Sequence, residues 1–150
     1  TFCSDELDVF HVADEMKTRG WYIQPQLSHT GPTGQRYAAN VHLSLNSYGT
    51  LARVAPFLAD LQLAVDAARA LPDVGPDAEM GAMLAAAGEM ELGTDEITGM
   101  LSLVGVGVGA EGAALPERMA GINRLIDAMP SKMEEAVLGG FLSSLYAPTR

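Results

Sequence analysis

The chain has 150 residues, of which 48% are hydrophobic and 19% are charged, a composition that suits one folded domain and excludes an intrinsically disordered chain. Nineteen acidic against nine basic residues give a net charge of −10, which disfavours binding to nucleic acid or to anionic lipid headgroups. The single cysteine, Cys3, excludes an internal disulfide and a multi-cysteine zinc site. No run of about 20 apolar residues indicates a membrane span, so we expect no membrane partner.

The N-terminal segment predicts one helix. The chain begins at Thr1 without an initiator methionine, and acidic residues at positions 5, 6 and 8 stand where a signal peptide would be apolar, so we expect a cytoplasmic protein. Apolar residues recur at helical spacing over residues 8–19 and predict a helix whose buried face consists of Val9, Val12, Ala13 and Met16. The opposite face, with Asp14 and Glu15, is expected to be solvated. Gly20, which follows two cations, predicts the end of this helix.

Two short strands are predicted next. Residues 21–23 favour a strand that Pro25 confines to a sheet edge or to its own beginning. Residues 28–36 are rich in glycine, proline and threonine and predict a loop. Residues 40–46 alternate, with Val41 on the apolar side and His42 on the polar side, which is typical of a half-buried antiparallel strand. The connection is too short for a helical crossover, so the two strands are expected to form a hairpin.

The rest of the chain is predicted to be helical. A long helix covers residues 50–71, with Pro56 as an alternative start and Pro72 as its end. Its apolar face consists of Val54, Phe57, Leu58, Leu61, Val65 and Ala68. Residues 72–76 form a linker, and further helices are predicted over residues 78–90, 95–103 and 115–129. A last helix is predicted after Pro130-Ser131, and its apolar residues are Met133, Val137, Phe141, Leu142 and Leu145. We therefore expect an α+β fold in which two or three antiparallel strands are covered by helices and followed by a helical tail. Residues 1–75 form the α/β core, and residues 76–150 form a helical extension packed on the same domain.

A glycine-rich segment matches the dinucleotide-binding pattern. Gly107, Gly109 and Gly112 have the G-x-G-x-x-G spacing, and residues 101–106 before them could form a strand. This pattern binds a dinucleotide only inside a βαβ unit, whereas here the following helix leads to Pro130 and then to another helix. A flexible loop is therefore favoured over a nucleotide site.

Cys3, His11, His29 and His42 are the candidate soft metal ligands, but their spacing matches no zinc pattern. We expect His11 on the surface of the first helix and His29 in the loop, and no feature supports a Cys–His nucleophile pair. The seven methionines from residue 80 onward are expected to fill gaps in the core or in an interface. His42 differs because it lies on the polar side of an apolar strand. There it either meets a ligand or another domain, or it is a hydrogen-bonded structural histidine.

Several segments, taken in order, resemble the C-terminal small domain of pyridoxal-phosphate-dependent group II decarboxylases, and among these the sphingosine-1-phosphate lyase-like enzymes. The likeness rests on Phe2-Cys3-Ser4, the helix DVFHVADEM at residues 8–16, Arg19-Gly20-Trp21, Gln24-Pro25-Gln26 and Val41-His42-Leu43-Ser44-Leu45. It covers residues 1–71 well and residues 130–147 loosely. The resemblance implies that residues 1–4 are the tail of a strand whose beginning is missing, and that the chain is roughly a third of an enzyme.

The resemblance also implies a pyridoxal phosphate cofactor in the intact enzyme, held by a lysine that follows a histidine in a large domain. This chain has only Lys17 and Lys132, and neither follows a histidine. We therefore expect that the chain binds no cofactor, contains no catalytic or metal-binding residue, and is inactive by itself.

The resemblance implies two roles for this chain in the intact enzyme, contact with the substrate and packing against partner surfaces. Family members that act on acidic amino acids have an arginine at the strand position of His42, so His42, with Gln26 nearby, is expected to face the substrate. The implied reaction is decarboxylation or carbon–carbon cleavage by a lyase. The implied partners are the large domain that binds pyridoxal phosphate and a second subunit of a homodimer, which the Met- and Leu-rich faces would contact.

A stand-alone, non-catalytic α+β module with a regulatory or ligand-binding role is the alternative interpretation, because it requires no missing residues. An independent hydrolase is disfavoured, since no nucleophile and base occur at a suitable spacing.

Overall fold

A computed structural model of the chain describes residues 1–44, 51–72, 75–88, 107–109, 112–114 and 116–145, together with residues 93, 96 and 99. The chain divides into two units, Thr1–Val74 and Gly75–Arg150. Helices are combined with antiparallel two-stranded pairings, so the fold is α+β, as the sequence predicts. Among the described helices, none has both the length and the apolar character that crossing a bilayer requires.

The first helix, α1 (Val9–Thr18), is capped at both ends. Asp8 caps the N-terminus, where its side chain accepts a backbone hydrogen bond at 2.8 Å. At the C-terminus Gly20 has a φ of 82°, and the amides of Gly20 and Trp21 each donate at 3.0 Å to carbonyls of the last helical turn. This is a Schellman motif, in which the left-handed glycine turns the chain away from the helix. The predicted helix and its glycine stop are both confirmed.

Burial on nearly all sides of α1 corrects the expectation that one face is solvated. Phe10 has no exposed surface, and Asp14 and Glu15 are only 4% and 7% exposed. The helix packs against α2 (Val54–Arg69) and also against the hairpin, so its contacts come from more directions than an amphipathic pattern indicates. The charge of Glu15 is compensated by Arg19, whose guanidinium lies 2.8 Å from the Glu15 carboxylate.

The hairpin begins later than the sequence indicates. β1 (Gln24–Gln26) pairs antiparallel with β4 (Asn40–His42), so a hairpin forms as predicted, but its first strand is residues 24–26 and not the predicted residues 21–23. Residues 21–23 are not a strand, since the Trp21 amide is used in the cap of α1. The strand predicted over residues 40–46 ends at His42, and residues 45 and 46 of that prediction lie outside the described part of the chain.

Pro25 lies within β1, at the one place in this ladder where a proline breaks no hydrogen bond. Its partner across the strands is Val41, whose amide and carbonyl both bond to Phe2 on the other side, at 2.9 and 3.0 Å. The hydrogen-bonded positions of the β1–β4 pair therefore belong to the residues on either side of Pro25, and an N–H at residue 25 would point away from β4. β4 is thus flanked by β1 and by the single bridge at Phe2.

The hairpin continues beyond these strands in the same register. β2 (His29–Thr30) pairs with β3 (Arg36–Tyr37), so that His29 faces Tyr37 and Thr30 faces Arg36. Between the two pairs of strands, each side of the hairpin has two unpaired residues, 27–28 on one side and 38–39 on the other. Because the two numbers are equal, there is no bulge, and residues of the same parity lie on the same face along the whole hairpin. The loop predicted over residues 28–36 is reduced to residues 31–35, where the Gly31 amide donates to the Gln35 carbonyl at 2.8 Å.

The helix α2 follows a 3-10 turn, Leu51–Arg53, and so begins between the two predicted starts. Only two small residues of α2, Ala64 and Ala68, are fully buried. Val54 and Leu58, which the periodicity places on the buried face, are 50% and 55% exposed. The helix therefore meets the core through a narrower face than its sequence predicts.

Trp21 joins the end of α1 to α2. Its ring Nε1 donates to the Asp60 carboxylate at 2.7 Å, and its ring packs edge-on against Phe57 at a centroid distance of 5.2 Å. The Arg53 guanidinium lies 4.8 Å from the centre of the same ring, a cation–π contact. One side chain thus connects two helices that are far apart in the sequence.

The second unit contains α3 (Ala78–Ala87), β5 (Gly107–Gly109), β6 (Gly112–Ala114), α4 (Ala120–Asp127) and α5 (Ser131–Leu145). α3 and α5 confirm the predicted helices. The helix predicted over residues 115–129 starts only at residue 120, since residues 112–114 are paired in β6 and residues 116–119 are not helical. The prediction for residues 95–103 lies mostly outside the described residues. The buried apolar residues of this unit are Leu84, Ala120, Ile122, Ile126, Met129, Met133 and Val137.

Candidate functional site

One face of the β1–β4 pair carries the residues that the sequence predicts to meet a substrate. Directly opposed residues of an antiparallel pair lie on the same face, so one face holds Gln24, Gln26, Asn40 and His42. Pro25 and Val41 lie on the other face, where Val41 has no exposed surface. The four polar residues, named here the amide–histidine face, therefore lie on the side of the sheet away from the core. His42 and Gln26 are half-buried, and Gln24 is exposed.

The register gives His42 a different nearest neighbour from the one expected. Gln26 shares a face with His42 but lies on the diagonal, a separation of about 7–8 Å, whereas Gln24 is directly opposite. Sequence reasoning missed Gln24 and Asn40 as members of this face. The sequence signal for Gln24 was its spacing of two residues from Gln26, because residues two apart in a strand lie on the same face of the sheet.

Asn40 contributes an acceptor that the hairpin does not use. Its Nδ2 donates to the Ala38 carbonyl at 3.3 Å, while its Oδ1 is buried and accepts no hydrogen bond from the described residues. A buried acceptor without a donor destabilises a protein by about 1–3 kcal/mol. The side chains that the amide–histidine face can offer to a polar group are those of Gln24, Gln26 and His42, which are exposed or half-buried, and His42 is its one titratable side chain.

His11 is buried, contrary to the expectation of a surface position. It is 7% exposed, and its Nε2 lies 3.1 Å from the carbonyl oxygen of Pro72, just beyond α2. Its Nδ1 is buried without a partner in the described part of the chain. His11 therefore connects α1 to the end of α2, which is a structural role.

The other soft-ligand candidates, His29 and Cys3, share no hydrogen bond with a residue of this face in the described part of the chain. His29 lies in β2 rather than in a loop, and it stacks on Tyr37 at a centroid distance of 4.9 Å. Cys3 is exposed and is bonded to no histidine in the described residues. Within the same residues, no three His, Cys, Asp or Glu side chains are grouped so that they could hold a metal ion.

The two lysines are in solvated positions. Lys17 in α1 and Lys132 in α5 are both exposed. Burial is one of the ways in which a lysine that forms a Schiff base is kept as a free amine near neutral pH. Neither lysine has that environment.

Two short strands of the glycine-rich segment pair with each other. β5 pairs antiparallel with β6, and Gly109 faces Gly112 across a connection of two residues. The third glycine of the pattern therefore begins a strand and not the helix that a dinucleotide site requires. This supports the rejection of a nucleotide site and corrects the expectation of a flexible loop.

A family model matches residues 50–144, well over half of the chain. It is described as the C-terminal putative HTH domain of pyridoxal-dependent enzymes, where HTH denotes helix-turn-helix. No curated protein and no solved structure matches the chain. The matched region starts just before α2 and includes the helices of the second unit, whereas the sequence resemblance rests mainly on residues 1–71.

Proposed function

This chain belongs to the family of C-terminal HTH domains of pyridoxal-dependent enzymes, and from that premise we propose that it is the C-terminal domain of a carbon–carbon lyase or amino-acid decarboxylase. Pyridoxal phosphate supplies the electron sink for either reaction and is held by a large domain of the same enzyme. This chain contributes substrate contacts and packing, and it is inactive alone.

The amide–histidine face is the observation that carries the role in substrate contact. It places His42 opposite Gln24 and on the diagonal from Gln26, on the side of the sheet that the core does not cover. An imidazole lacks the rigid two-pronged geometry with which an arginine binds a carboxylate. His42 therefore favours a lyase-type substrate over an acidic amino acid.

Exposed apolar side chains support the packing role in each unit. In the first unit Leu51 is 90% exposed, and Val54 and Leu58 are at least half exposed. In the second unit Met83 on α3 is 61% exposed and Leu142 on α5 is 53% exposed. We expect the large domain and the second subunit of a homodimer to cover such surfaces.

Charge argues that the HTH region of this chain makes protein contacts and does not bind DNA. Residues 75–150 contain eleven acidic and four basic residues. Binding to duplex DNA depends on neutralising phosphates with Lys and Arg, and this region has a large excess of negative charge. We therefore propose that its helices recognise protein surfaces.

The reading frame upstream of the codon for Thr1 tests the proposal. We expect it to encode a large domain with a histidine followed by a lysine, and the purified full-length protein to show the absorbance band of an internal aldimine. An initiator codon directly before Thr1 would contradict the proposal.

The chain alone offers a second test. Incubation with pyridoxal phosphate, borohydride reduction and mass spectrometry should show only the labelling that free lysine gives. Stoichiometric labelling of Lys17 or Lys132 would show instead that this chain holds the cofactor.

A further inference from the structure

Charge is distributed unevenly along the chain. Residues 16–59 contain no aspartate or glutamate, although the chain has 19, and they contain four of the nine basic residues. This acid-free segment carries a charge of +4, and the remainder, with five basic and 19 acidic residues, carries −14. The whole hairpin lies within the acid-free segment. The hairpin itself therefore contributes no carboxylate that would compete with an anion for one of its basic side chains.

Among the arginines of this segment, Arg36 contacts neither a carboxylate nor an aromatic ring in the described structure. Arg19 is paired with a glutamate, and Arg53 lies over a tryptophan ring. The Nη2 of Arg36 donates instead to the Ser28 hydroxyl oxygen at 2.9 Å. This contact orients the guanidinium without neutralising it, and its remaining N–H groups keep the fork that suits two oxygens of an anion.

The hairpin register adds a hydroxyl donor beside this guanidinium. Thr30 is the partner of Arg36 across the strands, so both side chains lie on one face, and the bond from Arg36 to Ser28 shows that Ser28 shares it. Because the register is unbroken, this is the same face of the hairpin that carries His42. Six residues separate Arg36 from His42, about 20 Å along a strand. The two positions are therefore distinct sites.

We propose that Arg36, Thr30 and Ser28 form a binding site for the phosphate group of a ligand. A phosphate offers several oxygens to a guanidinium fork and a neighbouring hydroxyl, and a charge-assisted bond of this kind is roughly twice as strong as one between neutral groups. The acidic residues that border the segment are both engaged, Glu15 by Arg19 and Asp60 by the Trp21 ring nitrogen. More distant carboxylates are screened at physiological salt, where the Debye length is about 8 Å.

The proposal is independent of the role suggested for His42 and of any parent enzyme, so the chain itself can test it. Inorganic phosphate is titrated into the ¹⁵N-labelled 150-residue chain at constant ionic strength, and NMR follows the backbone amides of the hairpin and the Arg36 Nε–H. We expect saturable shifts at Ser28, Thr30 and Arg36 with a dissociation constant of about one millimolar. Sodium chloride at equal ionic strength should produce no such shifts.

Three variants locate the site. Arg36→Gln should raise the dissociation constant at least about tenfold, since it removes both the charge and the fork, and Arg36→Lys should weaken binding because the fork is lost. The matched control is Arg69→Gln, which removes an exposed arginine of α2 that lies 3.7 Å from Glu6, and it should bind phosphate like the unmodified chain. Far-UV circular dichroism verifies that each variant is folded.

Three results would overturn the proposal. Chloride could reproduce the phosphate shifts, Arg36→Gln could leave the dissociation constant unchanged, or acetate could bind as tightly as phosphate. The last result would assign the surface to carboxylates, including those of an acidic protein partner.

Discussion

Gln24 and His42 face each other across β1 and β4, on the side of the sheet opposite the buried Val41. Directly opposed side chains of an antiparallel pair have Cβ atoms about 4.5–5.5 Å apart, within reach of a shared ligand. No acidic residue belongs to the hairpin, so in the proposed substrate site this pair offers an imidazole and an amide and no carboxylate.

Replacement of His42 by alanine tests this contact in the intact enzyme. We expect kcat/KM to fall about tenfold, the loss that corresponds to a hydrogen bond of about 1–1.5 kcal/mol. The matched control is His29→Ala, since His29 belongs to the opposite face of the same hairpin and stacks on Tyr37. Equal steady-state constants for His42→Ala and the unmodified enzyme would remove His42 from the substrate site.

Gly20 is required by the cap of α1. Its φ of 82° lies in the left-handed region, and no atom lies within 4 Å of a Cβ placed there. Gly20→Ala should therefore lower the free energy of unfolding by about 1–2 kcal/mol through backbone conformation alone. Urea unfolding followed by the fluorescence of Trp21 measures this change. Thr18→Ala, in the last turn of the same helix, should change the stability by no more than about 0.5 kcal/mol.

The bond from the Trp21 ring to Asp60 stabilises the junction of α1 and α2. Asp60→Ala removes a charged acceptor 2.7 Å from the indole nitrogen and should destabilise the first unit by about 1.5–3 kcal/mol. Asp60→Asn retains an acceptor oxygen and should cost less. Asp66→Ala is the control, because Asp66 accepts only an exposed bond from Gln62 on the same helix. Urea midpoints and the Trp21 emission maximum should change for Asp60→Ala and not for Asp66→Ala.

Elements with strong local signals were predictable from the sequence. The end of α1 could be predicted because the left-handed conformation of Gly20 is a local property of glycine. The formation of a hairpin could be predicted because the connection between the two strand segments is too short for a helix. The burial of His11 and Asp14 was not, since it depends on two elements that approach α1 from different sides. The membership of Gln24 in the candidate site depends on register, which the length of the turn at residues 31–35 determines.

Gly81 in α3 and Gly88, the residue at the C-terminal cap of α3, should respond to alanine in opposite directions. A Cβ at Gly88 would clash with the Pro130 ring, at 2.7 Å from its Cβ, whereas a Cβ at Gly81 meets no atom within 4 Å. Gly88→Ala should destabilise the second unit by about 1–3 kcal/mol, and Gly81→Ala should stabilise it by up to about 1 kcal/mol through helix propensity. Far-UV circular dichroism during thermal unfolding measures both. A stabilising effect of Gly88→Ala would contradict this contact between the end of α3 and Pro130.

Duplex DNA should not bind to this chain. With eleven acidic and four basic residues in residues 75–150, we expect no change in the fluorescence anisotropy of a labelled duplex at micromolar chain concentration, even at low salt. A duplex-binding HTH protein of positive net charge serves as the positive control. Salt-sensitive binding by this chain would overturn the proposal that its helices recognise proteins.

The position of Pro25 also bears on how the protein behaves at high concentration. An edge strand normally offers outward N–H groups to which another chain can add a strand. In β1 the residue whose backbone groups point outward is Pro25, which has no N–H to offer. Pro25 therefore leaves the hydrogen bonds between β1 and β4 intact and also protects the hairpin against edge-to-edge aggregation.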